Sequence, residues 1–394
     1  MRKPSSATND NRKKEREASL AIHVTNPPYL CSFIQTYYST MELPLTMNAV
    51  VFDGPYKVSL QQRPVPKIQH DGDIVVKVQA TALCGSELHT FRGHQPSNTG
   101  FIMGHEFTGT VVAAGKDVKS VKIGDKVVSP FTVSCMNCFY CKNGYSSRCE
   151  HSLLFGSEKL DGAQADYVRV PFADGTAMKA PPEIDDNALV LMADIFPTGW
   201  FGARNAFNAL GAQDPTEATV VVVGCGPVGL CAIVSALEYK PKHLFAIDSV
   251  DSRLELARSL GAEPINFAKD RDAMISRIKE ATDGRGADAV IEVVGLSPAL
   301  KTAYDVLRPF GFISSIGVHN AEIPFSGTEG YDKNIRLQMG RCPVRSVFAD
   351  ALKVLAKNQD KFGFMFEKIM PLSTAVSGYD LFDKMQVQKV IFKP

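Results

Sequence analysis

Four cysteines, Cys135, Cys138, Cys141 and Cys149, fall within fifteen residues, with Gly144 between the third and the fourth. Thiolates at that spacing can wrap a tetrahedral Zn2+ at about 2.3 Å per bond, and with all four positions filled by protein such a site is structural. An iron–sulfur cluster is the chemical rival, but the bacterial ferredoxin run continues with x3-Cys-Pro, and this one does not. A second set is looser: Cys84-Gly85-Ser86-Glu87-Leu88-His89, then Gly104-His105-Glu106. One soft thiolate, one imidazole and nearby carboxylates suit a zinc that keeps a fourth position open for catalysis. Taken singly, Cys84 reads equally well as a core thiol and His105 as a hydrogen-bonded core histidine.

A third set binds rather than reacts. Gly224-Cys225-Gly226-Pro227-Val228-Gly229 has the spacing G-x-G-x-x-G, after the β-branched run Thr219–Val223 and before an apolar helical stretch. The first glycine permits the tight turn, the second lets a pyrophosphate reach the backbone, and the third lets helix and strand touch. Helix N-terminal amides then face the phosphate charge. A second strand, Leu244–Ile247, ends in Asp248, 19 positions beyond Gly229, where a carboxylate accepts hydrogen bonds from an adenosine ribose. The bland alternative is a glycine-rich turn with a solvent-facing Asp. A membrane span over Ala218–Leu237 is opposed by three glycines and a proline in its middle. The order strand, turn, helix, acid is that of a dinucleotide site.

The surrounding elements divide in two. Short strand-like runs punctuated by Gly and Pro, such as 73–78, 107–112 and 125–128, predict a twisted, mostly antiparallel β domain over 47–197. Strand–helix alternation then predicts a doubly wound parallel sheet over 198–341, an α/β architecture. Residues 342–394 predict a helical stretch and a last strand at 389–392 that returns to the first domain. Residues 1–46 read as a disordered extension. A mitochondrial presequence is the sharper reading of its basic residues, but Asp10, Glu15 and Glu17 count against it, and the cytoplasm is the expectation. A net charge of +1 without a basic stripe argues against nucleic acid and anionic membranes as partners. Nine cysteines at metal-ligand spacings point to a reducing compartment.

Together, Cys84-Gly-Ser-Glu-Leu-His89, Gly104-His-Glu106, the four-thiol lobe and Gly224-x-Gly-Pro-Val-Gly229 occur in an order that resembles the zinc-dependent medium-chain alcohol dehydrogenases. The resemblance covers 47–394. It implies a GroES-like β domain holding two zinc ions per subunit, a Rossmann domain binding NAD, and an active site in the cleft between them. It implies hydride transfer between an alcohol, or a carbonyl in reverse, and NAD(H), in a homo-oligomer, dimer or tetramer. Cys84 and His105 would bind the catalytic zinc with Glu106 beside it. Ser86 would receive the alcohol proton and His89 pass it on through the nicotinamide ribose. Phe131 would line the substrate pocket, Thr198 contact the nicotinamide, Arg253 lie near the adenosine ribose, and Lys389 meet the pyrophosphate.

Two departures stand out. No cysteine lies between Cys149 and Cys225 to serve as a second thiolate. At the corresponding place stands Ala193-Asp194-Ile195-Phe196-Pro197-Thr198, making Asp194 the candidate third ligand, a substitution that resembles the glutathione-independent formaldehyde dehydrogenases. A capping or hydrogen-bonded Asp is the plain alternative. Glu106 is the competitor, but in an extended segment it would point away from the metal that His105 binds. The second departure is Gly85, where members of the family often carry a base for the pyrophosphate. A polyol or formaldehyde dehydrogenase has the same motifs. A non-catalytic zinc- or nucleotide-binding protein is disfavoured by the intact Cys84, Ser86, His89, His105 and Asp194.

Overall fold

The computed structural model describes residues 43–394; residues 1–42 of the expected extension lie outside the described residues. The first sheet is built on Ile74–Ala82, whose apolar residues are buried. Glu106–Ala114 pairs antiparallel with one edge of this strand, followed by Lys126–Ser129 and Met178–Lys179. The other edge is shared. Tyr167–Val170 takes its start, and Ile391–Lys393 takes its end, with Ile369–Pro371 added beyond. The last strand therefore closes the first sheet, which brings Lys389 to the catalytic side of the molecule.

The second sheet has six parallel strands in the order Glu263–Asn266, His243–Asp248, Thr219–Val223, Ala287–Glu292, Leu307–Ser315, Arg336–Met339. Thr219–Val223 is buried at every position, as a strand covered by helices on both faces requires. The order reverses between Thr219–Val223 and Ala287–Glu292, and the glycine-rich turn lies at that switch point, where such sheets bind ligands. Two of these strands, Glu263–Asn266 and Arg336–Met339, went unmarked in the sequence: neither has a run of β-branched residues.

The boundary expected at 197/198 falls inside a helix, Ile195–Asn208, which packs on Pro227–Leu237. One buried cluster runs from Ala80, Ala82 and Val128 through Leu189–Phe196 to Val220, Ala232 and Ile291. The two sheets thus share a core, and the cleft between them has a common floor. Among the described residues no helix is long and apolar enough to cross a membrane.

Candidate active site

The four-thiol lobe folds around its sulfurs. The ligand atoms of Cys135, Cys138, Cys141 and Cys149 lie within 4.8 Å of one another. Backbone N–H groups of Asn137 and Cys138 donate to Cys135 Sγ at 3.4 and 3.3 Å, and those of Cys135 and His151 donate to Cys149 Sγ at 3.2 and 3.4 Å. Backbone amides of Cys141 and Glu150 hold the Cys138 thiol down to about 6. Amides aimed at sulfur favour thiolate, the form that binds zinc.

The second cluster draws on three separate segments. Cys84 is the N-cap of the helix Gly85–Phe91, and its own N–H donates to Glu87 Oε2 at 3.0 Å. His105 sits in a bend after Gly104, whose φ of +102° and tight contact with Gln164 N leave no room for a side chain. Asp194 stands at the N-cap position of the helix Ile195–Asn208, with φ −149° and ψ −71°, and its side chain makes no bond to the helix backbone. Its Oδ2 lies 3.5 Å from Cys84 Sγ and 3.3 Å from His105 Nε2. Its Oδ1 accepts from Thr198 Oγ1 at 2.8 Å, fixing the carboxylate. Asp194 is therefore hydrogen-bonded and a member of the cluster, but its side chain does not cap the helix backbone.

Glu106 corrects an expectation. Its carboxylate does not point away, but converges with Cys84, His105 and Asp194 to within 4.8 Å. Side-chain alternation applies within a strand, and the strand begins only at Glu106; His105 lies in the preceding bend. What occupies Glu106 is Lys389, whose Nζ is 2.5 Å from Oε2, with neither side chain exposed. Burial pushes the Glu106 carboxyl up to about 7, with Lys389 opposing. Lys389 also donates to Leu83 O at 3.0 Å. Instead of turning to the glycine turn, where a pyrophosphate role would need it, the Lys389 ammonium is paired with Glu106 and Leu83 O.

This donor set fits a zinc ion. Burial, then Asp194 and Glu106, raise the Cys84 thiol. Burial opposes protonation of His105, yet Glu87, Asp194 and Cys84 together raise its imidazole well above the ordinary value. Thiol and carboxylates crowd one another around a single ring, an arrangement a divalent cation satisfies. Glu87 went unrecognised in the sequence as a site residue. Its Oε1 is 3.6 Å from His105 Nδ1, it accepts from Gln164 Nε2 at 3.3 Å, and Tyr379 OH holds Gln164 Oε1 at 2.9 Å. A carboxylate behind a ligating imidazole fixes its tautomer and orientation. The available signal was its spacing, three residues after the N-cap, where a capping-box acid belongs.

Ser86 Oγ is 3.3 Å from Cys84 Sγ and 3.4 Å from His105 Nε2. His89, one helical turn on, lines the same cavity, half-buried, and its pKa is lowered by burial and by the charges of His94 and Arg92. Phe131 packs its ring edge-on against His105, 6.0 Å between centroids.

At the far end of the cleft the glycine turn has its expected geometry. Gly224 has φ +100°, and a Cβ on Gly229 would lie 1.9 Å from Gly224 O, so helix and strand touch there. Nothing lies within 4 Å of the corresponding point on Gly226, which leaves the turn open to an approaching group. Asp248 accepts from the N–H groups of Cys225, Ser249 and Val250 at 2.7, 2.7 and 2.9 Å, and Arg253 is 3.9 Å away. One cavity of about 880 Å³ joins Cys84, Ser86, His105, Phe131, Asp194 and Thr198 to Gly226, Asp248 and Arg253. Its volume is that of a small-molecule or cofactor site, and its lining runs from the metal cluster to the glycine turn.

Comparison with known proteins agrees. A family model described as an alcohol dehydrogenase GroES-like domain matches residues 70–182, and one described as a zinc-binding dehydrogenase matches 227–357. Zinc-type alcohol dehydrogenase B of Aspergillus flavus is 67% identical over 347 residues, 88% of this chain and 81% of that protein. The medium chain reductase/dehydrogenase ucsI of Acremonium sp is 66% identical over 290 residues, 73% of this chain and 99% of that protein. Among solved structures, alcohol dehydrogenase TADH from Thermus sp. ATN1 aligns with a TM-score of 0.81 at 34% identity, covering 88% of this chain and 99% of that one. With both family models matched and relatives of this identity and coverage, the protein belongs to the zinc-dependent medium-chain alcohol dehydrogenases.

Proposed function

We propose that this zinc-dependent alcohol oxidoreductase uses Cys84, His105 and Asp194 as the ligands of its catalytic zinc and prefers NAD(H) to NADP(H). The observation that carries the reading is the meeting of three donor atoms from three segments at one end of a cleft whose other end is the Gly226 turn and Asp248. When bound, zinc supplies a Lewis acid that makes an alcohol more acidic, and the nicotinamide supplies the hydride acceptor.

The chain's own residues do the rest. Glu87 holds the His105 ring by its Nδ1 side, leaving Nε2 turned toward Asp194. Lys389 pairs with Glu106 Oε2, and its charge opposes that of the carboxylate that stands beside the three ligands. Ser86 Oγ, 3.3 Å from Cys84 Sγ, takes the hydroxyl proton of a substrate as it gives up its own, and His89, its pKa lowered by burial, is the next base toward solvent. Phe131 walls the pocket against water. Thr198, anchored on Asp194, faces the cleft where the nicotinamide would lie. Asp248 disfavours a 2′-phosphate and favours a free 2′-hydroxyl.

The test is Asp194→Ala, with zinc counted by elemental analysis and turnover followed as NADH over primary alcohols, polyols and formaldehyde. The expected result is two zinc ions per subunit in the wild type, one in the variant, retained by the cysteine lobe, and turnover lost. Full zinc and near-normal turnover in Asp194→Ala, with both lost in Glu106→Ala, would transfer the ligand role to Glu106.

A further inference from the structure

Charged side chains that line the cleft are, with two exceptions, matched. Arg92 pairs with Asp383 and Arg253 lies by Asp248, while Lys389 is closed on Glu106. Arg148 and Arg341 also line the cavity, and among the described residues neither guanidinium has an ion pair or a hydrogen bond. Both belong to the metal end. Arg341 lies over the face of Phe131, 5.7 Å from guanidinium carbon to ring centroid, and Phe131 is the ring that packs on His105.

The two arginines are held in place by their backbones. Arg148 directly precedes Cys149, a ligand of the thiol lobe, and closes the turn Ser146–Arg148. Arg341 precedes Cys342, which is buried with its Sγ donating to Pro197 O at 3.4 Å. The two segments are stitched together by reciprocal bonds: Ser146 N donates to Ser346 Oγ at 3.3 Å, and Ser346 N to Ser146 Oγ at 3.1 Å. Partial desolvation, and next the charge of Arg148, lower the pKa of Arg341, with Asp194 opposing, so the two cations lie within electrostatic reach of each other and of the metal cluster. Both arginines are exposed to the cleft and neither is paired with a protein anion, so an anionic group that enters the cleft finds two guanidiniums open to it.

We propose that Arg148 and Arg341 form an anion seat in the substrate site, so that the preferred alcohols carry an oxyanionic group, a carboxylate or a phosphate, remote from the hydroxyl that is oxidised. The planar guanidinium fork matches both groups bidentately. The stacking of Arg341 on Phe131 sets the plane in which the anion docks. The seat rests on the proposed reaction, and it names the substrate class for it.

The experiment measures kcat/KM with NAD+ for three matched series: neutral 1-alkanols, ω-hydroxycarboxylates and alkanediol monophosphates of the same chain length. The wild type is expected to favour one of the anionic series over the neutral one, which also says whether carboxylate or phosphate is the ligand. In Arg341→Gln, and separately in Arg148→Gln, the anionic-to-neutral ratio should fall by about 10- to 100-fold, mainly through KM for the anionic substrate. Arg148→Glu should push the ratio below unity. A wild type that oxidises neutral alcohols and shows no anionic preference, with ratios unmoved by the variants, would overturn the seat while leaving the proposed function intact. Loss of NAD+ affinity by titration, with the ratio unmoved, would also overturn it, by assigning the arginines to the cofactor. A wild type that oxidises none of the three series, nor the other alcohols tested above, would instead count against the proposed reaction.

Discussion

Replacing His94 by Gln should raise the pH at which the enzyme becomes active. His94 is exposed and touches neither metal cluster, but its ring centroid is 6.3 Å from that of His89. His89 must be neutral to take up a proton, and its pKa is lowered by burial first, then by His94 and Arg92. Two unit charges at that separation repel by about 0.7 kcal/mol in water and about 2.6 kcal/mol at an effective dielectric of 20. Because one ring is exposed, the lower figure is the appropriate one. The sign follows directly. In the wild type, kcat/KM should rise with pH as His89 loses its proton, with a midpoint below the ordinary imidazole value of about 6.5. In His94→Gln the midpoint should move up, and added salt should shrink the difference between the two proteins. His89→Gln should abolish this limb. An unchanged midpoint in His94→Gln, or a downward shift, would refute the electrostatic coupling. A limb that survives in His89→Gln would remove His89 from the proton path.

Lys389→Met should destabilise the protein by about 3–5 kcal/mol in chemical denaturation, because it strands a fully buried carboxylate; Glu106→Gln in the same chain should restore part of the loss, and additive effects would show that the pair is not coupled. Glu87→Gln keeps the shape but weakens the acceptor behind His105 Nδ1. It should lower affinity for the catalytic zinc by about 10- to 100-fold in a chelator competition while leaving the lobe zinc in place, and unchanged affinity would mean that Glu87 serves only as a helix cap.

The parts of the site legible in sequence are those whose chemistry is local. The four thiols and the glycine turn each lie on one short segment, so spacing alone carries their geometry. Asp248 was placed by its distance from the turn, since a strand–helix–strand unit has a nearly fixed length. What spacing could not convey is contact between distant segments. Lys389 and Glu106 are 283 positions apart, and only the pairing of Ile391–Lys393 with Thr81 and Ala82 brings them together. Arg148, Arg341 and Gln164 reach the site in the same way. The direction of Glu106 was not legible for a different reason: side-chain alternation holds only within the strand, which begins at Glu106, after a bend made possible by Gly104. The fold was legible because its two halves differ in period. The domain boundary was not, because Asp194 and Thr198 lie in and just before a single helix that belongs to both halves.

The inward turn of Lys389 also changes how the cofactor phosphates must be held. Gly85 offers no charge, and Lys389 is closed on Glu106 and Leu83 O, so in this arrangement neither position presents a cation to the glycine turn. What remains at the turn is backbone: the open face of Gly226 and the first amides of the helix Pro227–Leu237, whose N1 residue, Pro227, itself has no N–H to give. Dipoles of that kind act within the first turn and at hydrogen-bond range, whereas side-chain cations act over about a Debye length. Binding of NAD+ should accordingly depend little on ionic strength, with Kd rising by less than about threefold between low and physiological salt. It should also be nearly unchanged in Lys389→Met when measured below that variant's unfolding midpoint. A steep salt dependence that disappears in Lys389→Met would mean that the ammonium leaves Glu106 when the dinucleotide binds. One that disappears instead in Arg341→Gln would place that guanidinium on the pyrophosphate, where it could not also hold the substrate's anion.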